Sequence, residues 1–308
     1  MACKGRHTPL GFKIQKEEIQ MRNLKRALSL ALAAIMLIGM MVVSASAVSY
    51  NDLTDKDQIV NTDAVSMLVT LGVIEGKPDG SYAPTEGVDR AQMAKMISVI
   101  MNQGVDNGAL YENSPSGLTD ISSHWAKGHI NYCYTTGIIA GRGNGKFDPS
   151  ATVTALEAAK MLLVAVGYDP AIEGFEGADW AINVSVRADE QGIFEGFTKD
   201  LSAPLNRDDA ALLIYNALDV EMIQSYTTNN YPIAYSDHRT ILADKYGVIK
   251  VQGVVVANEW ASLASDDGDA ALKEGKTTIY NGEGIFSTTG NTTVSKEDAS
   301  LKTQTFNV

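Results

Sequence analysis

The feature that most constrains this chain is an internal repeat in its middle part. Three segments each place two glycines four positions apart with a pair of large apolar residues between them, and they begin at Gly72, Gly137 and Gly192. The offsets between these segments are 65 and 55 residues. Because the copies of a repeat adopt similar structures and stack on one another, the sequence predicts units of one kind packed together.

Each glycine pair lies between two stretches that have helical periodicity. In the first copy, the apolar residues of the first stretch line one face of a helix: Ala64, Val65, Leu68 and Leu71. Cys133 falls at the Leu68 position of the second copy, so we predict that this cysteine is buried rather than reactive.

The second stretch of each copy opens with a helix N-cap signal. Asp89, Thr154 and Asn206 are each followed three positions later by Gln, Glu or Asp, which makes a capping box in two copies and a near variant in the third. Apolar residues then recur on one helical face. We therefore predict three helix-loop-helix units that pack on one another, because none can bury its apolar stripe alone.

Residues 1–47 resemble a leader. From Met21, a basic segment precedes an apolar run from Ala27 to Val43, and Ser44-Ala45-Ser46-Ala47 follows, a small-residue pattern that signal peptidase cleaves. We predict that Met21 is the start and Ala47 the last residue of a cleaved secretory signal. The alternative is a retained membrane anchor, since the run is long enough to span a bilayer. The net charge of −12 argues against nucleic acid as a partner.

Beyond residue 224 the pattern changes. Residues 225–231 are typical of a linker, and residues 232–308 are predicted to form a β-rich module. Three runs are rich in β-branched residues: Val248–Val251, Gly253–Val256 and Thr277–Tyr280. The last of these precedes an Asn281-Gly282 hairpin turn. The run that ends at Val308 has no closing turn, so we expect a truncated chain.

The sequence contains only partial matches to catalytic and metal-binding motifs. Gly275-Lys276-Thr277 resembles the end of a phosphate-binding loop, but Ala270 stands where the earlier glycine is required. His124 and His129 are five positions apart, which does not place two metal ligands on one helical face. We predict no catalytic residue, no cofactor and no metal site, and therefore no enzyme activity.

The order of the repeated features resembles the S-layer homology (SLH) domain, a family usually found as three tandem copies. The matching features are an aromatic-Ala pair at Trp125 and Trp180, a Gly-Ile-Ile segment, a Gly-Asn-Gly loop ending in Pro, and a capped helix that opens like Thr-Arg-Ala-Glu. Two copies depart from the pattern. Val60 replaces the Trp of the first copy, and Ala155 replaces the Arg of the second.

The resemblance covers about residues 50–222 and implies units at 48–106, 115–170 and 171–224. It implies an α+β multidomain protein in which a helical unit of three repeats with pseudo-three-fold symmetry precedes the small β-rich module. The implied partner is pyruvylated secondary cell-wall polysaccharide on peptidoglycan, in the wall of a Gram-positive-type bacterium. Self-association in a surface layer is a further expectation, with no retained membrane span.

The resemblance also implies which side chains bind the polymer. The Arg of the capped helix meets the pyruvate carboxylate, and a Trp of a neighbouring unit offers a flat face to the sugar. The candidates are Arg90, Arg207, Trp125, Trp180 and Arg142. A helix start carries unpaired backbone N–H groups, and a guanidinium can hold a carboxylate through two hydrogen bonds. We expect Arg90 and Trp125 to form the dominant groove.

A second class of function is compatible with the same features. The chain could be the wall-binding part of an enzyme, such as a glycan hydrolase or peptidase, with its catalytic domain beyond Val308 or within the β-rich module. The absence of catalytic motifs favours the anchoring function over this alternative.

Overall fold

A computed structural model describes residues 49–248 and five strands further along the chain. The chain divides into two compact units, residues 1–47 and residues 48–308, and the described residues all belong to the second. The predicted signal sequence lies outside the described residues, as does the strand predicted at Val248–Val251 apart from its first residue.

Seven α-helices and three short 3-10 helices form within residues 49–248. Six of the α-helices flank the three glycine pairs, one before and one after each, as the repeat predicts. The α-helices are α1 Thr62–Thr70, α2 Arg90–Met101, α3 Lys127–Thr135, α4 Ala155–Val166, α5 Trp180–Glu190, α6 Arg207–Ala217 and α7 Ile241–Tyr246. None of the helices in the described ranges is long and apolar enough to cross a membrane.

The three predicted N-caps are confirmed. Asp89 and Thr154 each accept a hydrogen bond from the backbone N–H of the third helical residue, whose side chain bonds back to the cap N–H. Asn206 accepts the first of these bonds, from the N–H of Asp209. The caps satisfy helix N–H groups that would otherwise be unpaired and start α2, α4 and α6 at the same place in each copy.

The apolar stripes of the helices meet in one continuous core, as predicted. Helix α3 packs against α2, α5 against α4, and α1 against α6. The first helix of each pair thus packs on the second helix of another pair, so no pair is a separate folding unit. Cys133 is fully buried in this core, which confirms its predicted place, and burial raises the pKa of its thiol.

The segments that lead into α2, α4 and α6 are hydrogen-bonded to one another. The backbone N–H of Val88 donates to the carbonyl of Leu205 (2.9 Å), that of Val153 donates to Val88 (3.0 Å), and that of Leu205 donates to Val153 (2.9 Å). Each segment therefore donates to one of the other two and accepts from the remaining one. All three residues are buried, so loss of one segment would leave unpaired polar groups in the core.

The linker predicted at residues 225–231 is wrong, because this stretch belongs to a hairpin attached to the helical core. Strand β1 Ile223–Tyr226 pairs antiparallel with β2 Pro232–Ala234. The intervening polar residues form the turn, where Asn230 adopts a left-handed φ of 64°. The two hydrophobic residues that open α7, Ile241 and Leu242, are buried in the core. The helical unit therefore extends to residue 248.

The strands beyond residue 248 form a five-stranded antiparallel sheet in the order β3-β4-β5-β6-β7. They are β3 Val254–Asn258, β4 Thr277–Tyr280, β5 Ile285–Thr288, β6 Thr293–Glu297 and β7 Thr305–Asn307. Tyr280 at the end of β4 pairs with Ile285 at the start of β5, and the turn predicted at Asn281-Gly282 lies outside the described residues. The chain is thus α+β, with strands in the part predicted to be β-rich.

The packing of α7 makes a test of the domain boundary. Leu242→Ala should lower the free energy of unfolding of the helical unit by about 2–5 kcal/mol, because it leaves a cavity in the shared core. Urea unfolding followed by far-ultraviolet circular dichroism measures this change. Ile233→Ala, on the more exposed face of β2, is the control and should change little. An unchanged transition for Leu242→Ala would mean that α7 folds apart from the core.

Candidate functional site

Two surface grooves combine residues from all three helix pairs. The first groove has a volume of about 320 Å³ and is lined by residues 72–78, one face of α2, Trp125 and Arg207. The second groove has a volume of about 450 Å³ and is lined by residues 138–142, the matching face of α4, Arg90 and Trp180, among others. In each groove, one pair supplies the loop and helix, a second supplies the arginine and a third supplies the tryptophan.

Arg207 in the first groove is held in place by a tyrosine. Its Nε donates to the backbone oxygen of Tyr82 (2.7 Å), and its guanidinium lies 4.8 Å from the centre of the Tyr82 ring. Within the described part of the chain, Arg207 has no carboxylate partner. Its remaining N–H groups therefore form a fork that can bind an anion. Trp125, in the same groove, has 60% of its surface exposed.

A polar network supports the floor of the first groove. Lys95 Nζ lies 2.9 Å from Asp106 Oδ2, and Asp106 Oδ1 lies 3.2 Å from His129 Nε2. The other ring nitrogen of His129 is 3.1 Å from Ser98 Oγ. The set has the composition of a hydrolase triad, but Ser98 is fully buried, so a substrate cannot reach it. Burial lowers the pKa of His129 against the opposing effect of Asp106.

Arg90 in the second groove is buried, with 5% of its surface exposed. Its Nε donates to Phe147 O (2.9 Å) and its Nη2 to Ala140 O (3.4 Å), while Nη1 lies 3.8 Å from Glu157 Oε1. Burial lowers the pKa of Arg90, and Glu157 opposes that shift. Arg142 Nη2 donates to the same Glu157 oxygen at 2.7 Å. Glu157 therefore pairs with both guanidinium groups, and Asp148 Oδ2 also lies 3.8 Å from Arg142 Nε.

The second groove also contains a lysine and a tryptophan in contact. Lys160 Nζ donates to Phe175 O (2.5 Å) and lies 5.8 Å from the centre of the Trp180 ring. Burial lowers the pKa of Lys160. Its ammonium group is therefore engaged on the protein itself.

A third groove, of about 280 Å³, lies at the start of α6 and lacks both the arginine and the tryptophan. Val60 lines it at the position where Trp was expected. Arg90 and Arg207 each extend into the groove of another helix pair, and Ala155 at the matching place in α4 has no side chain long enough to do so. Asp208 and Asp209 line this groove instead. The two departures in the sequence therefore fall on one groove.

Two expectations about Arg90 are wrong. The amides at the helix starts are not open to an anion, because the N–H of Arg90 donates to Ala151 O (2.9 Å) and that of Arg207 to Glu86 O (2.8 Å). Arg90 also does not share a groove with Trp125. It lies with Trp180, and Trp125 lies with Arg207, because the hydrogen-bonded segments before the helices direct each arginine into a different pair.

Two lysines that line the grooves were missed from the sequence. Lys95 and Lys160 occupy the sixth position of α2 and α4, where α6 has Leu212. Their shared register in two copies is a signal that a position-by-position comparison of the repeats would have found.

Two segments of the chain match the family described as the S-layer homology domain, residues 49–94 and 117–159. The α5–α6 pair lies outside both matches. A cell surface protein of Thermoanaerobacter kivui is 26% identical over 270 residues, which cover 87% of this chain and 32% of that protein. An S-layer protein of Bacillus licheniformis is 33% identical over 112 residues, or 36% of this chain and 12% of that protein.

An enzyme is also among the relatives. Exoglucanase XynX of Acetivibrio thermocellus is 28% identical over 193 residues, which cover 58% of this chain and 17% of that enzyme. The chain spans about a third or less of the length of each of these three relatives. The family match includes the loops of the first and second grooves and the caps of α2 and α4, whereas Arg207 and Trp180 lie outside it. The chain therefore carries two segments that match the S-layer homology domain, residues 49–94 and 117–159, and is similar along most of its length to a cell surface protein.

Proposed function

We propose that this chain anchors a secreted surface protein to the bacterial cell wall without a covalent bond. The polymer it binds is secondary cell-wall polysaccharide that carries ketal-linked pyruvate. The three helix pairs act as three S-layer homology repeats in a pseudo-three-fold arrangement. The matched family and the relatives named as cell surface and S-layer proteins support wall anchoring.

The observation that carries this proposal is the pairing of Arg207 with Trp125 in the first groove. The guanidinium has no described carboxylate partner, and a planar fork fits a carboxylate such as that of pyruvate. The exposed indole offers a flat apolar face for a sugar ring, and an exposed aromatic beside a charged groove is typical of a binding surface. The two groups together match an acidic saccharide.

The second groove makes a smaller contribution in this proposal. Arg90 is buried and its N–H groups bind two carbonyls and a carboxylate. A carboxylate ligand would have to break these bonds before it could bind to the fork. We therefore propose that Arg207, rather than Arg90 as expected from the sequence, makes the larger contribution to binding.

This reversal can be measured with arginine variants. Arg207→Ala should lower the affinity for purified pyruvylated polymer by about 1.5–3 kcal/mol, or roughly ten- to a hundred-fold, because it removes a charge-assisted bidentate contact. Arg207→Lys should recover only part of the loss, since an ammonium lacks the fork. Calorimetry against native and pyruvate-stripped polymer measures both. Unchanged affinity of Arg207→Ala, or equal binding of the two polymers, would contradict the proposal.

Arg90→Ala is expected to act on stability. The substitution leaves the carbonyl of the buried residue Phe147 without its donor, Arg90 Nε, which should lower the free energy of unfolding by about 1–3 kcal/mol. Chemical denaturation measures this, with Arg142→Ala as the exposed control from the same groove. If Arg90→Ala folds with wild-type stability yet fails to bind polymer, the groove of Arg90 is the dominant one.

A second candidate function is a wall-anchored enzyme, which the name of the exoglucanase relative favours. The test is to incubate the purified chain with peptidoglycan and with cellulose and to measure released reducing ends. Release above a heat-inactivated control would support this function. Binding to the wall without release would favour anchoring alone.

A further inference from the structure

The hairpin that follows the third helix pair is bonded to the segment between α4 and α5. This segment, residues 167–179, leads into Trp180, and residues 175–177 and Trp180 line the second groove. We propose that Tyr226, the last residue of β1, is a positioning residue for the second groove, because it holds the segment that carries these groove residues. The polymer-binding unit then includes the hairpin as well as the helix pairs. This inference rests on the proposed function.

The hydroxyl of Tyr226 bonds to two points of the segment. It accepts a hydrogen bond from the backbone N–H of Asp169 (2.9 Å) and donates one to Glu173 Oε1 (3.0 Å). Burial raises the pKa of Tyr226, so the hydroxyl retains the proton that it donates. Removal of this single group would break both contacts and leave the aromatic ring in place.

Glu173 carries the contact on to helix α5. Its other oxygen, Oε2, accepts from Arg187 Nε (3.0 Å) and Nη2 (2.9 Å), and only 6% of its side chain is exposed. A buried carboxylate must be paired and hydrogen-bonded, because an unpaired charge away from water is costly. Tyr226 therefore fixes one oxygen of Glu173, and α5 fixes the other.

The segment transmits this position to the groove as one hydrogen-bonded turn. The N–H of Glu173 donates to Asp169 O (2.9 Å), and that of Phe175 donates to Pro170 O (2.8 Å). Phe175 O in turn accepts from Lys160 Nζ, which lines the groove. A shift of the turn away from Tyr226 would therefore displace the carbonyl that holds Lys160, together with the neighbouring residues of the groove.

The strand that presents Tyr226 is itself closely packed on the end of α4. Gly167 ends this helix with a φ of 115°, and a Cβ at Gly167 would lie 2.5 Å from Ile223 O, closer than any side chain tolerates. Glycine alone allows this approach without strain. The start of β1 is therefore held against the helix, and Tyr226, three residues further on, reaches the segment from a fixed backbone.

The experiment compares Tyr226→Phe with Tyr231→Phe in the full chain. Each variant loses one hydroxyl from the same hairpin, but Tyr231 lies in the turn with 69% of its surface exposed and is the matched control. The probe is a short soluble fragment of the pyruvylated wall polymer. The indole N–H resonances of Trp125 and Trp180 report its affinity for the first and second grooves separately.

Tyr226→Phe should weaken the binding reported by Trp180 by roughly two- to tenfold, the effect of one net hydrogen bond on an equilibrium, and leave the binding reported by Trp125 unchanged. Tyr231→Phe should change neither. Because coupling between two sites is reciprocal, saturating fragment should also slow amide hydrogen exchange in β1 and β2 of the wild type, and do so less in Tyr226→Phe. A hydroxyl that only stabilised the fold would not produce this difference.

Three results would overturn the inference, and they can be told apart from failure of the proposed function. If the fragment binds at both indoles but Tyr226→Phe has wild-type affinity at Trp180, or loses affinity equally at both, the positioning role is wrong. If the fragment shifts only Trp125 in the wild type, the second groove does not bind polymer and the inference fails. In these cases the proposed function stands. If the fragment shifts neither indole resonance, the proposed function is wrong, and the inference falls with it.

Discussion

The helical unit depends on a closed ring of three backbone hydrogen bonds. Val88 donates to Leu205, Leu205 donates to Val153, and Val153 donates to Val88. These bonds lie at the centre of the three segments that precede α2, α4 and α6, and each segment needs the other two to satisfy its buried backbone groups. The helix caps follow directly after the junction, so its geometry sets where each of these helices begins. The position of every groove side chain on α2, α4 and α6 is thus defined relative to one small set of backbone bonds.

The same junction explains why the grooves are shared between helix pairs. Arg90 and Arg207 stand one residue beyond their caps, at the point where their segments lie against another pair, and so they line grooves whose loops belong to other pairs. A substitution in one copy therefore changes a groove in another. This accounts for the third groove, which lacks a tryptophan because the first copy has Val60 and lacks an arginine because the second copy has Ala155. The repeat diverged in sequence, and the structure concentrates that divergence on one surface.

The first and second grooves show how similar frameworks hold different chemistry. Each has an arginine, a lysine and a tryptophan in matching places, but Arg207 is left without a described carboxylate partner and Arg90 is enclosed by carbonyls and Glu157. Burial of a guanidinium costs free energy unless its N–H groups are bonded, and Arg90 has these bonds from the protein itself. An arginine satisfied in this way stabilises the fold, whereas Arg207 retains the capacity to bind an anion.

Local patterns in the sequence determined the repeat, the caps at Asp89, Thr154 and Asn206, the burial of Cys133 and the β-rich character of the last part, because each depends on periodicity or on hydrogen bonds between near neighbours. Tertiary structure alone decided three things: that Arg90 lines the same groove as Trp180, that the amides at the starts of α2 and α6 are occupied, and that the polar stretch at residues 225–231 is a turn rather than a linker. The first two outcomes, and the attachment of the hairpin through Tyr226 to Asp169 and Glu173, depend on contacts between segments tens of residues apart. A helical or strand period carries no information about which distant segment supplies a hydrogen-bond partner.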